Sequence, residues 1–299
     1  TLFARHNQGA YAIEAGDFAA ANRLLGEAVD LYDPAVPIPV ELTPGGDVGI
    51  NAASWRSVGL QIAGYPEQAR RISEHHLSLA DQHRDSRTLY HIYGWVAWRG
   101  LEAREWAEVE RHMDTYLPIA REFGDPFFVL VAETYSHIAR AYQGDRLALE
   151  TALGLVDAFL AMGTTIAFVV GASFIAELHY RFGEHAAALD LIERACEHVN
   201  ATGSHLHTAE LHRVRGRVLS ALGRPEEEVE ANYQQAIDLA RRQSAKTFEL
   251  RAATDLAGLW QGQGKVEEAR QLLREVYAWF GEGEETEDLR EARGVLEGL

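Results

Sequence analysis

Runs of alternating Val, Ile and Thr, the pattern of a half-buried strand, are absent from this 299-residue chain, and its apolar positions fall at helical spacing. Ala and Leu are abundant and only eight prolines interrupt them, which favours long helices. The longest apolar stretch, AFVVGASFIAEL at 167 to 178, is shorter than the roughly 18 residues of a membrane span. It predicts a helix buried within protein.

Self-similarity organises these helices. Similar junctions recur at AGDFAAA from Ala15, AGYPEQA from Ala63, QGDRLAL from Gln143, FGEHAAA from Phe182, LGRPEEE from Leu222 and QGKVEEA from Gln263. Their glycines stand at 16, 64, 144, 183, 223 and 264. After the first, the steps are 80, 39, 40 and 41, and the long one holds a glycine-free junction, AREWAEV, near Arg104. Each junction follows a helix, offers a glycine for the left-handed C-cap, and opens an acidic or Pro-containing first turn of the next helix. Seven hairpins of about 40 residues follow, about fourteen helices, with a terminal helix TEDLREARGVLEGL from Thr286.

The residues around these turns resemble the tetratricopeptide repeat, in which small residues sit seven before the turn glycine and five and twelve after it. Gly9, Gly16, Ala21 and Ala28 fill all four positions, as do Ala176, Gly183, Ala188 and Ala195, and Gly216 and Gly223 fill the first two. The resemblance implies an all-α, TPR-like helical-hairpin superhelix, with residues 1–299 forming one repeat array. The period is longer than the family's usual 34 residues because the helices are longer.

Composition narrows the function. The formal charge is −17, from 45 acidic and 28 basic residues, so the overall field repels nucleic acid and anionic membranes. The single cysteine, Cys196, precludes an intrachain disulfide and a cysteine zinc cage, fits a reducing, cytoplasmic setting, and occupies a small-residue packing position. The chain begins inside a helical pattern without Met or a signal-peptide pattern, and reads as a C-terminal fragment of a larger protein.

The strings AELHRVRGRVLSALG, ANYQQAIDLARRQSAKTFELRAATDLAGLWQGQGKVEEARQLLREVYAWF and DLREARGVLEGL resemble the C-terminal helical region of bacterial STAND-type signalling ATPases, often linked to class III adenylate or guanylate cyclase domains. LYDP at Leu31 and the junction at Ala63 fit the same pattern, whereas residues 34–50, PAVPIPVELTPGGDVGI, depart from it. The resemblance implies a regulatory, ligand-sensing role, with ATPase or cyclase domains upstream in cis. No GxxxxGK[ST] loop occurs, so no catalytic residue carries over.

Chemistry-bearing residues were weighed against packing roles. His205, His207 and His212 do not share one helix face, HExxH is absent, and His75 and His76 splay apart; no metal or cofactor is assigned. No GxSxG elbow occurs, while any two of the 45 acids can meet in the fold. In LYHIYGWVAWRG, Tyr90, Tyr93 and Trp98 are pocket candidates and Trp95 a core residue. Along LHRVRGRVLSALGRPEEE, Arg stems cover apolar surface and their heads reach solvent or acids such as Glu226 and Glu227; Arg213 and Arg217, one turn apart, could instead hold an anion.

Stacked hairpins leave their first helices lining a concave surface. Positions six to thirteen residues before the turn glycine are taken to face it: Asn51, Ser54, His91, Trp98, Glu133, Glu177, Arg213 and Arg217, with Tyr180 counted beside Glu177. Their mixture suits a protein, peptide or polar small-molecule effector. The expected function is a sensing and protein-interaction domain without catalysis. The alternatives are a free-standing TPR adaptor and an all-α enzyme with its site in the groove.

Overall fold

The computed structural model describes residues 1–33, 35, 36 and 46–299. Among these the α-helices are α1 (Leu2–Ala15), α2 (Phe18–Asp30), α3 (Val48–Ile62), α4 (Pro66–Leu79), α5 (Ser86–Glu102), α6 (Trp106–Phe123), α7 (Pro126–Tyr142) and α8 (Arg146–Ala161). They continue as α9 (Thr165–Arg181), α10 (His185–Thr202), α11 (Thr208–Ala221), α12 (Glu226–Gln243), α13 (Lys246–Gly262), α14 (Val266–Tyr277) and α15 (Glu287–Gly298). Seven antiparallel hairpins and a terminal helix result, as the repeat predicts. Most of the 34–50 segment, residues 34 and 37–45, lies outside the described residues.

Local chemistry sets the boundaries. Asp17, Asp47, Asp85, Asp125 and Asp145 each precede a helix and accept a hydrogen bond from an amide of its first turn. Gly16 closes α1 in the left-handed region at φ 77°. At the glycine-free junction Arg104 adopts that same conformation, at φ 60°. A side chain there costs about 1 kcal/mol, and what offsets it lies across the molecule.

Within each hairpin the helices meet at the small residues. A Cβ at Gly9 would lie 2.5 Å from Leu25 Cγ, and one at Gly216 would lie 2.5 Å from the Tyr233 ring. Ala21, Ala28, Ala176, Ala188 and Ala195 are wholly buried. Successive first helices (α1, α3, α5, α7, α9, α11, α13, α15) touch one another and form the inner layer, while the second helices lie outside. Inner helices are therefore buried nearly all round; α9, which contains the apolar stretch 167–178, is buried from Phe168 to His179. No helix among the described residues is long and apolar enough to cross a membrane.

The array coils until it meets itself. The turn of the first hairpin reaches the end of the sixth, where a Cβ on Gly16 would strike the Gln243 side chain. The second hairpin's turn reaches the seventh, with Tyr65 and Trp279 rings 5.4 Å apart and Thr247 Oγ1 donating to the Gln61 carbonyl at 2.7 Å. The third hairpin's turn reaches α15 through Arg104. Each turn thus meets a unit five places later, and the Phe18 and Phe248 rings pack edge to face across this seam. The concave surface becomes a filled lumen.

Candidate functional site

The lumen is lined by charged residues that four successive inner helices and the Arg104 turn bring together. Arg213, with no exposed surface, donates to Glu177 (2.7 Å), Glu210 (2.9 and 3.0 Å) and Asp255 (3.2 Å). Arg217, one turn on, grips Asp255 with two donors at 2.6 and 2.7 Å and reaches Glu177 at 3.0 Å. Arg251 holds Asp288 in a two-pronged pair at 2.8 and 2.9 Å. Arg104 meets Asp288 at 3.2 Å and Glu291 at 2.8 Å. Four guanidinium groups thus face three buried carboxylates, Glu177, Glu210 and Asp288, and the half-buried Asp255, which satisfies the requirement that buried charge be paired.

The electrostatics follow from that pairing. Burial alone would raise the Glu177 carboxyl, but Arg213, Arg217 and Arg104 overcome it and hold the group far below the carboxylate range. Arg213 and Arg251 likewise lower Glu210 against its burial, and Arg104 and Arg251 lower Asp288. The pairing with arginine therefore favours the ionised form of all three.

Next to this network lies a serine, histidine and carboxylate in series. Ser173 Oγ stands 2.7 Å from His207 Nδ1, and His207 Nε2 stands 2.8 Å from Glu102 Oε1. The order resembles a hydrolytic triad, with Ser173 Oγ also 2.8 Å from the Val170 carbonyl. All three groups are buried, and Glu102 Oε1 also accepts from Trp98 Nε1 at 2.9 Å. The chain acts as a strut that ties α5 to α9 and the start of α11; His207, weighed for metal by sequence, is committed within it.

The network opens at one mouth, a cleft of about 420 Å³ whose lining includes Tyr142, Glu177, Arg181, Arg217, Arg290 and Glu291. Tyr142 stacks on Trp106 with ring centroids 3.8 Å apart, and the Arg181 guanidinium lies 5.1 Å from the Tyr142 centroid. Arg104 and Arg217, also at the mouth, have acidic partners. Arg181 and Arg290 have none among the described residues.

Comparison with known proteins fits this geometry. Residues 250–278, the α13–α14 hairpin, match the tetratricopeptide repeat family. Among solved structures, a Rap protein complexed with competence and sporulation factor superposes with a TM-score of 0.65 at 15% identity, over 99% of this chain and 87% of its own. NprR in complex with its cognate peptide NprX superposes at 0.62 and 11% identity, over 99% and 82% of the two chains. The fold is a TPR-like superhelix. Aspartyl phosphate phosphatase F from Bacillus subtilis shares it, at 0.56 and 13% identity over 92% of this chain and 69% of that one. No curated protein sequence matches the chain.

Within the TPR-like frame, the residues assigned to the concave face separate into three groups. Glu177, Arg213 and Arg217 meet in the lumen, held by each other and by Glu210 and Asp255; Glu226 and Glu227, the acids expected beside these arginines, are not their partners. Ser54, His91 and Trp98 are buried where the second and third hairpins pack. Ser54 donates to the His91 carbonyl at 3.0 Å, Asn51 lies a turn before it and is half-buried, and Trp98 packs with Trp55 and Trp95. Glu133 pairs with Arg121 of α6 at 2.8 Å, and Tyr180, only three residues before Gly183, packs on His185 at the hairpin turn.

Of the aromatic candidates, Tyr90 stacks on Phe128 in the core, while Tyr93 lines a separate cleft with Ile119 and Phe123. Arg104, Glu210, Arg251, Asp255 and Asp288 escaped the sequence reading. Counted from Gly223 and Gly264, Glu210, Arg251 and Asp255 fall in the same register as Arg213, so that signal existed. Arg104 and Asp288 carried none.

Proposed function

We propose that this chain is a regulatory protein-interaction domain whose partner, a peptide or a protein segment, docks at the mouth of the lumen. The observation that carries this is the pair of unpartnered cations, Arg181 and Arg290, in a cleft whose other lining arginines are matched. Arg181 above the Tyr142 ring and Arg290 on α15 offer a carboxylate two guanidinium forks beside a flat aromatic wall. The TPR-like fold supports the reading, since the Rap and NprR structures were solved with competence and sporulation factor and with a cognate peptide.

An arrayed peptide library, probed with the native chain and with the double variant Arg181→Glu/Arg290→Glu, tests it. Peptides held by the native chain and lost by the variant are the expected outcome. An array without native binders, or with binders indifferent to both substitutions, sinks the idea.

The finer reading makes the chain the sensor arm of a STAND-type ATPase or a nucleotide cyclase, with catalysis in cis and none in this segment. Its support is the sequence resemblance from AELHRVRGRVLSALG onward. A bound effector would favour one arrangement of the superhelix and bias the attached domain. Immunoblotting the native protein decides between this and a free-standing adaptor: a species several times heavier than 33.2 kDa with phosphate-loop peptides supports the sensor arm, and one near that mass removes it.

A further inference from the structure

A second cavity, of about 660 Å³, opens where the first hairpin passes beneath the fourth and fifth. Its lining includes Tyr11 and Glu14 of α1, Thr164 and Thr165 at the start of α9, and Gly203 and Ser204 after α10. These segments are far apart in sequence and meet only because the superhelix closes. Among the described residues no basic side chain lines the cavity, and Glu14 is its only carboxylate.

Two features there await a partner. Glu14 is half-buried and makes no hydrogen bond or ion pair among the described residues, and burial raises its carboxyl above the usual range. Tyr11, one turn before it on the same helix, presents its ring to solvent at 72% exposure.

The surrounding backbone adds a field of one sign. Helices α1, α8 and α10 all end at this cavity, and none carries a basic residue in its last turn. Their carboxyl ends, each the negative pole of a helix dipole, converge without a compensating cation. Only α9 presents its amino end.

We propose that this cavity binds an organic ammonium group, with Glu14 as counter-ion and the Tyr11 ring as a cation–π face. An ammonium offers three donors and no acceptor, which matches a carboxylate and helix-end carbonyls. The group can come from a peptide's amino terminus, a lysine side chain or a small free amine. The inference is independent of the arginine-lined mouth and stands whether or not that cleft takes a peptide.

Calorimetric titration of the whole chain with four probes tests it: putrescine, a lysine-free peptide with a free amino terminus, an N-acetylated peptide containing one lysine, and an N-acetylated peptide without lysine. At least one of the first three should bind, and the fourth should not; which of them binds identifies the source. Glu14→Gln should weaken binding by at least about tenfold, and Tyr11→Ala by a smaller factor. Glu284→Gln removes the same charge elsewhere on the surface and should leave affinity unchanged. Lack of ammonium binding, equal binding of the fully acetylated peptide, or equal loss in Glu284→Gln and Glu14→Gln would overturn the proposal.

Discussion

Glu282 and Glu67, 215 residues apart, each accept backbone amides from the other's segment. Glu282 Oε1 accepts from the amide of Glu67 at 2.9 Å and from that of Gln68 at 3.2 Å, while Glu67 Oε1 accepts from the amide of Gly283 at 3.1 Å. The first amides of a helix have no partner within it, and a local side chain usually supplies one. Tyr65 precedes α4 and gives no such bond. The cap arrives instead from beyond α14, and the first turn of α4 is completed only when the superhelix closes.

Replacing Glu282 by Ala should therefore do two things. It leaves the α4 amides without their acceptor, at a cost of about 1–2 kcal/mol in chemical denaturation, and it loosens the seam, which small-angle scattering would register as an increased radius of gyration. A loss of stability without expansion would show that Tyr65, Trp279, Phe18 and Phe248 hold the seam unaided.

Arg104 sits where the other hairpin turns use glycine, and its side chain reaches Asp288 and Glu291 on α15. Arg104→Gly removes the local backbone cost of about 1 kcal/mol but leaves the buried Asp288 with Arg251 alone. The second effect exceeds the first, because a hydrogen bond to a charged group contributes about 1.5–3 kcal/mol and Arg104 meets both Asp288 and Glu291. Hydrogen exchange over residues 287–298 should accelerate; unchanged protection would mean that Arg251 alone suffices to dock α15.

Arg213→Met should be the most damaging single change in the lumen. It leaves Glu177, Glu210 and Asp255 to share Arg217 and Arg251, at a cost of about 3–5 kcal/mol. Adding Glu177→Gln to it should recover part of the loss, since one of the surplus negative charges is then gone. Urea denaturation of the two single variants and the double would give the coupling, and strict additivity would contradict a shared network.

Acid should weaken the fold first through histidine. Burial, helped by His75, lowers His76 to about 4, so it is neutral in the folded protein and takes a proton on unfolding below its ordinary pKa of 6.5. Stability from this group is complete above pH 6.5 and is lost as pH falls toward 4, by on the order of 3 kcal/mol. His112, also lowered to about 4, acts in the same direction. Glu177, Glu210 and Asp288 stay ionised through that window because their pKa values are depressed. Denaturation between about pH 7 and pH 4.5 should show the decline, and His76→Gln should flatten it.

Much of the architecture is legible in the chain because helical turns are local chemistry. A glycine that can take positive φ, an acidic N-cap and a small residue at a close approach act over a few residues. Gly16 and Ala21 are read correctly without knowing what lies opposite, while Asp17, expected within the first turn of α2, stands just before it as the cap. Even the glycine-free junction is located by spacing alone, although its left-handed Arg104 is not. The candidate site was legible only in part: Glu177, Arg213 and Arg217 share a register that does face inward, while Asn51, Ser54, His91 and Trp98 lie where neighbouring hairpins pack.

The sequence by itself determines the seven hairpins, the terminal helix and the all-α class, since each follows from periodicity and turn chemistry within one repeat. Only the tertiary structure decides that the superhelix meets itself five units on. Small rotations between neighbouring hairpins accumulate along the array, and no single repeat encodes their sum. That sum places Glu282 on α4, Asp288 on Arg104 and Tyr11 beside Ser204. It turns an open groove into a paired ionic lumen with two separate cavities at its edges.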